Sequence, residues 1–293
     1  MEKPVGYRYP PVSKATDDER IGMVKEIFST ITGKYDFLNR LLSLRRDVAW
    51  RRFLIKKMSI PQAGRALDVA CGTGDLSIGI ARKYPGVVVT GVDFVYEMVA
   101  TGAQKAQRKG FAHRIRFIEG DALRLPFRDD CFDVTTMAFG IRNIPDKLTA
   151  LKEMVRVTAP GGQIMILEMT FIENRLFKFL YYIYLNYLLP VLAGLFSTNR
   201  GAYYYLADSI MHFPAPDAFA GMMEEAGMTM VKKYPLTCGV TWLHAGQKKE
   251  ETNEVQSKAE PNDRKESAVV LQPGNNAVAV SKLAGLEAGR VSG

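Results

Sequence analysis

The sequence predicts an α/β fold in which a mostly parallel sheet is covered by helices on both faces. Three observations predict it. Short, nearly continuous apolar runs recur along the chain, separated by segments of helical spacing. The first run, 65–69, ends in the glycine-rich turn Ala70-Cys71-Gly72-Thr73-Gly74-Asp75. The next, 87–92, ends in Asp93, 21 residues beyond Gly72. Together these make one βαβ unit with space for a nucleotide at the carboxyl ends of its strands.

Taken in order, residues 1–20 are polar and proline-containing and are expected to form a flexible arm. Apolar positions Ile21, Val24, Ile27 and Phe28, then Leu38, Leu41 and Leu42, carry helical spacing, so 21–58 should be a helical cap. Strands are expected at 65–69, 87–92, 115–119, 132–138 and 163–168, and helices at 76–83, 95–109 and 148–157. Pro160-Gly161-Gly162 should break the chain between the last helix and its strand. Residues 171–213 read as an aromatic helical insert. A helix at 216–226 ends at Gly227, and 228–234 with 240–247 read as two final strands joined as a hairpin. The folded domain thus runs over 21–249, and the polar stretch 250–293 is expected to be disordered.

The chain has 293 residues, 47% of them apolar, which is enough for one substantial core. Its three cysteines, Cys71, Cys131 and Cys238, are far apart and suggest no disulfide framework. Three histidines, without paired-cysteine or HExxH spacing, lead to the expectation of no metal site. The N-terminus shows no apolar signal segment, so the expected location is cytoplasmic. The formal charge is +8, and the tail from 251 holds five basic and six acidic residues, so the body carries the positive excess. Arg40, Arg45, Arg46, Arg51, Arg52, Lys56 and Lys57 concentrate it, a pattern that suits nucleic acid, anionic lipid or a solvated helix face. The run 176–196 approaches the length of a membrane span, about 20 residues. Lys178, Asn186, Pro190 and four tyrosines argue instead for buried or interfacial helices.

The loop chemistry narrows the ligand. Gly72 and Gly74 allow tight backbone geometry and close approach of a ligand. Ser77 stands where a dinucleotide fingerprint has its third glycine, and Asp75 would face a pyrophosphate with negative charge. Both weigh against NAD or FAD and favour a cationic or less anionic nucleoside. Asp93 can accept from both ribose hydroxyls. Asp121, ending the third strand before Ala122, either accepts from an adenine amino group or caps the next turn. Asp68 precedes the loop and can order its backbone.

Asp68-Val69-Ala70-Cys71-Gly72-Thr73-Gly74 resembles the first motif of class I S-adenosylmethionine-dependent methyltransferases. The resemblance implies a Rossmann-like, seven-stranded sheet with an antiparallel last strand and an N-terminal helical cap. It also implies S-adenosylmethionine as methyl donor, held by Asp68, Gly72, Thr73, Gly74, Asp93, Phe94, Asp121, Ala122 and Ala138. Further stretches are similar to the menaquinone/ubiquinone C-methyltransferase family: Lys34-Tyr35-Asp36-Phe37-Leu38-Asn39 with Trp50, Phe139-Gly140-Ile141-Arg142-Asn143, and Arg156-Val157 with Pro160-Gly161-Gly162 and Leu167-Glu168. Tyr203, Tyr205-Leu206, Phe213-Pro214 and Gly239-Val240 with Leu243-His244 extend it over roughly 20–249. Departures occur where the family usually has histidine (here Asp47), glycine (Arg45), a small hydroxyl residue (Ala138), and Leu with Lys or Arg (Thr158-Ala159).

What the family resemblance implies is methylation of a ring carbon of a polyprenylated quinol, demethylmenaquinol first and a methoxylated benzoquinol precursor of ubiquinone as the alternative. A quinol proton leaves, the adjacent carbon takes the methyl group, and loss of the ring proton restores aromaticity. Arg142 would stabilise quinolate charge or polarise a water that takes the proton, Asn143 would hydrogen-bond the quinol oxygen, and Tyr35 would close over the donor from the cap. Tyr205 and His244 are weaker candidates, the latter equally a satisfied core histidine. An isoprenoid tail needs an apolar groove, which 177–196 could line at the inner face of an anionic membrane. A homodimer is a further expectation, and nucleic acid is not an expected partner. Three other readings stand beside this one: another lipid or aromatic acceptor, an RNA methyltransferase, for which no Asn-Pro-Pro-Tyr motif is present, and a non-catalytic donor-binding protein.

Overall fold

The computed structural model describes residues 9–170, 179, 182–184, 187 and 201–250. Residues 1–8 of the expected arm, most of the run 176–196 and the expected disordered stretch beyond 250 lie outside the described residues.

Seven strands build one sheet: β1 (Arg65–Val69), β2 (Val88–Asp93), β3 (Ile115–Glu119), β4 (Phe132–Ala138), β5 (Thr158–Met169), β6 (Met228–Leu236) and β7 (Thr241–Lys248). Their order is β3-β2-β1-β4-β5-β7-β6. The first five pair in parallel, while β7 runs antiparallel to both β5 and β6. The strand order reverses between β1 and β4, and open α/β sheets bind ligands at such a switch point. The register sets Val69 beside Val92 and Met137, so the ends of three strands reach the same level.

Eight helices are described: α1 (Asp17–Ile31), α2 (Tyr35–Leu42), α3 (Arg46–Lys57), α4 (Asp75–Lys83), α5 (Tyr96–Arg108), α6 (Lys147–Val157), α7 (Gly201–Met211) and α8 (Pro216–Glu225). Strand alternation sends neighbouring residues to opposite faces. Ala66 joins Trp50, Leu54, Ile80 and Val89 in one core, and Leu67 joins Phe127, Phe132, Leu151, Met154 and Phe219 in the other. A third cluster joins Val24, Ile27 and Leu38 of the cap to Tyr205 and Ile210 of α7.

The cap starts at Asp17, four residues before the expected boundary, because Thr16 and Glu19 form a reciprocal capping box. Within the expected arm, Tyr9 is buried and the Val12 N–H donates to Asp208 Oδ2 at 2.6 Å. β5 starts at Thr158 rather than at 163. Thr158 pairs with Phe132, and the ladder shifts register between Phe132 and Val134. The Pro160-Gly161-Gly162 break is thus an irregularity inside the strand, with Gly161 at φ 72°.

Leu44 and Arg45 both lie in the left-handed region, at φ 50° and 61°. That region costs a side-chain-bearing residue about 1–2 kcal/mol, whereas glycine enters it freely. Replacing Arg45 with glycine should raise the stability measured by urea unfolding by about 1 kcal/mol.

His244 is fully buried on β7, with Nε2 3.0 Å from the Pro216 carbonyl and its ring edge-on to Phe219. Burial pushes its pKa down to about 4 from 6.5 despite the Pro216 contact. It is a core residue. Between these two values the unfolded chain binds more protons, so this contribution is complete above pH 6.5 and is lost as pH falls towards 4. Wild-type stability should fall by about 1.4 kcal/mol per pH unit from this group across that window, and His244→Asn should lack that slope.

Among the described residues no helix is long and apolar enough to cross a membrane.

Candidate active site

A cavity of about 450 Å³ opens at the carboxyl ends of β1, β2 and β4, within the range of small-molecule sites. Its floor is the glycine turn, its far wall the segment after β3, and α1 covers it with Ile21, Val24, Lys25 and Phe28. Of the expected donor residues, Gly72, Asp93, Phe94, Asp121, Ala122 and Ala138 line it, as do Tyr35 and Asn143. Asp68, Thr73, Gly74 and Arg142 do not line it.

Gly72 sits at φ 53° and meets the Tyr35 ring, 3.7 Å from where a Cβ would stand. Its N–H donates to Asp93 Oδ2 at 2.8 Å, and the Val95 N–H donates to Oδ1 at 3.0 Å. Asp93 therefore ties the first and second strand ends together. Burial pushes its pKa up to about 6, against the lowering by these backbone donors. Asp121 is exposed, and its Oδ1 accepts from the Leu123 N–H at 2.9 Å, so its turn-capping reading is present in the structure. Burial likewise pushes Tyr35 up, with the Arg51 and Arg142 charges opposing.

The other expected residues act one layer down. Asp68 accepts from Ser77 Oγ at 2.6 Å, pinning α4 to β1, and burial pushes its pKa up to about 7. Gly74 is required by packing, since a Cβ there would stand 2.5 Å from the Phe117 ring. Thr73 and Asp68 face a second space of about 20 Å³, shared with Tyr35, Gly72, Ala138 and Arg51. That is room for a water molecule.

Asp75 does not offer a free negative charge to a ligand. Lys105 Nζ reaches its Oδ1 at 2.7 Å and Arg40 its Oδ2 at 3.3 Å. Burial raises its pKa, and Lys105, Arg51 and Arg40 bring it below the ordinary value. Selection for a cationic ligand therefore does not rest on this carboxylate. Lys105 also donates to Asp36 Oδ2 at 2.5 Å and to Thr73 Oγ1 at 3.0 Å. One buried ammonium thus holds the cap, the glycine turn and α4 together. The sequence carried a sign of it, because Lys105 falls on the stripe Met98, Gly102 and Ala106 of a helix whose other charged residues face solvent.

Asp47 is buried, accepts from Ser43 Oγ at 2.8 Å and pairs with Arg51 at 2.7 Å. Arg51 lies over the Phe139 ring, 5.1 Å from its centroid. The residue that departs from the family histidine therefore steadies an arginine beside the site.

Arg142 lies in the 3₁₀ turn Ile141–Asn143 after β4. Its Nη1 donates to Glu168 Oε1 at 2.6 Å and to the Phe139 carbonyl at 2.8 Å, while its N–H reaches Glu168 Oε2 at 3.2 Å. Burial opposes its charge, and Glu168 overcomes that, leaving its pKa above the ordinary value. Its charge acts on Tyr35 and Tyr205. Asn143 Oδ1 accepts from Tyr205 Oη at 3.2 Å. Arg20, which the sequence did not single out, donates to the Arg142 carbonyl from α1 at 2.5 Å. Among the described residues no cluster of three or more His, Cys, Asp or Glu is placed to hold a metal ion.

A sequence model described as the ubiE/COQ5 methyltransferase family matches residues 13–248. A protein of Geotalea daltonii named ubiquinone/menaquinone biosynthesis C-methyltransferase UbiE is 45% identical over 226 residues, covering 77% of this chain and 96% of the relative. A demethylmenaquinone methyltransferase of Thermus thermophilus is 44% identical over 220 residues, covering 75% and 99%. Among solved structures, the [4+2]-cyclase SpnF aligns with a TM-score of 0.59 at 16% identity, covering 84% of this chain and 99% of that one. A SAM-dependent methyltransferase from Aquifex aeolicus aligns with a TM-score of 0.50 at 16% identity, covering 67% and 88%. At those identities the likeness is one of fold.

Proposed function

This chain belongs to the ubiE/COQ5 methyltransferase family, and from that premise we propose that it methylates a ring carbon of a polyprenylated quinol, demethylmenaquinol in the first instance. It is an S-adenosylmethionine-dependent C-methyltransferase. The observation that carries the acceptor reading is the convergence of Gly72, Asp93 and Asp121 with Tyr35 and Asn143 on one cavity under the cap.

The residues present fit the donor. The cavity has room for a nucleoside, and Asp93 brings a buried carboxylate to its wall. Gly72, Asp93, Phe94, Asp121, Ala122 and Ala138 would hold it, with Asp68, Thr73 and Gly74 shaping the turn from behind. Bound there, S-adenosylmethionine supplies an electrophilic methyl group.

The remaining work falls to the chain's own side chains. Asn143 donates to a quinol oxygen as negative charge develops on it. Arg142 contributes positive potential and holds the turn that carries Asn143; with its high pKa it is no base. Tyr35 and α1 exclude water, which strengthens each of these interactions.

The acceptor's tail places the enzyme at the inner face of an anionic membrane. Phe37 is 52% exposed and Leu44 is 80% exposed, and Arg45, Arg46 and Arg52 of the same cap are exposed as well. Tyr184 of the insert donates through its hydroxyl to the Leu42 carbonyl of the cap. A cap that exposes both apolar and basic side chains suits a surface that is greasy and negatively charged. The protein should float with vesicles containing anionic lipid, and the Phe37→Ser/Leu44→Ser variant should lose most of that binding. Equal flotation of the two would remove this surface from the reading.

The acceptor is tested by assaying purified enzyme with reduced demethylmenaquinone against the methoxylated benzoquinol. Faster turnover of the naphthoquinol is expected. Turnover of only the benzoquinol would move the enzyme to the other pathway, and turnover of neither would sink the quinol reading.

A further inference from the structure

The phenol of Tyr205, on α7, donates to Asn143 Oδ1, 3.2 Å distant. Burial pushes that phenol up against the pull of the Arg20 and Arg142 charges, so it keeps the proton it donates. Arg20, on α1, holds the same turn by donating to the Arg142 carbonyl.

That direction settles which way the amide faces. An asparagine whose oxygen is engaged presents its NH₂ elsewhere, and the amide orientation follows from its partners. Asn143 lines the large cavity, and among the described residues its amide nitrogen has no hydrogen-bond partner. The polar end of this part of the cavity is therefore a donor.

We propose that Tyr205 is a positioning residue that fixes Asn143 with its NH₂ towards the acceptor, making the site selective for an acceptor oxygen that carries negative charge. The inference rests on the quinol reading and adds the protonation state in which the acceptor is held. A hydrogen bond to an ionised oxygen is roughly twice as strong as one to a neutral oxygen. The Asn143 amide, held by Tyr205, thus favours the quinolate over the quinol without itself taking the proton.

The test is Tyr205→Phe, which keeps the ring and removes the hydroxyl. With demethylmenaquinol and saturating donor, kcat should fall about tenfold, a modest share of what losing a whole oxyanion donor costs. Donor Kd should stay within about twofold, and the acidic limb of the kcat–pH profile should move up by about one unit. A second readout needs no methyl transfer. The pKa of para-nitronaphthol, titrated by its absorbance when bound to the protein, should lie about one unit lower on wild type than on Tyr205→Phe.

Equal probe pKa values, absence of probe binding to wild type, or a loss of kcat uniform across pH would overturn the proposal. Failure of wild type to methylate demethylmenaquinol, with the probe difference intact, would end the quinol reading and leave the orientation of Asn143 standing.

Discussion

Arg142→Ala should cost about 3–5 kcal/mol of stability, because it leaves Glu168 buried and unpaired. Glu168 is wholly enclosed and accepts from Arg142 Nη1, from the Arg142 N–H and from the Met169 N–H. A drop in turnover in that variant alone would say little about catalysis. The informative variant is Arg142→Met with Glu168→Gln, which removes both charges, keeps an oxygen for one of the two backbone donors and should lose less stability in urea than Arg142→Ala. Its kcat should remain at least about tenfold down while donor affinity is nearly unchanged, the pattern of a group used mainly in the transition state. Full recovery of kcat in the double variant would make Arg142 a structural ion pair and nothing more.

Asp93→Ala should weaken donor binding by two to three orders of magnitude or more, as expected for losing charge-assisted hydrogen bonds of about 1.5–3 kcal/mol each. The same carboxylate holds the Gly72 and Val95 N–H groups, so the turn loses its anchor along with the ligand. A pH effect follows from the raised pKa. Burial makes the free protein hold a proton on Asp93 up to about pH 6. Accepting from ribose hydroxyls favours the ionised form, so donor binding releases that proton. Donor Kd should therefore rise as pH falls through about 6 and be flat above pH 7, and calorimetry in buffers of different ionisation heat should detect the proton below 6. A pH-independent Kd would remove Asp93 from that role.

The sheet was legible because its signals are local. Apolar runs bounded by Gly72-Thr73-Gly74 and Asp93 place β1 and β2, and the acidic residue at the end of β2 announces the nucleotide side of the sheet. The edge of β5 was misread because a proline and two glycines ordinarily end a strand, whereas here pairing of Thr158 with Phe132 carries the ladder past them. Asp75 was misread for a different reason. Its sequence neighbours say nothing of Lys105, which lies on another helix and cancels its charge through space. Arg20 escaped notice for the same cause, and Arg51 was read only as one of the basic residues of the cap, since a surface-like arginine on a cap helix is told from a working one only by what packs against it. Gly74 was read as allowing a tight turn and close approach of a ligand, and the structure adds a need the sequence does not show, its packing against Phe117.

The position of β7 between β5 and β6 has a consequence for how the protein is made. Among the described residues β5 finds its second neighbour in β7, and β6 pairs with β7 alone. Roughly 80 residues separate the end of β5 from the end of β7, which at 5–20 residues per second is about 4–16 s of synthesis. Until β7 is made, the β5 edge, with Ile164, Met165, Ile166 and Leu167, lacks the strand that pairs with it in the fold. An open apolar edge is a template for another chain. The yield of folded enzyme should therefore depend on the holdase capacity of the host and on the pace of translation between codons 169 and 248, more than on the final stability of the sheet.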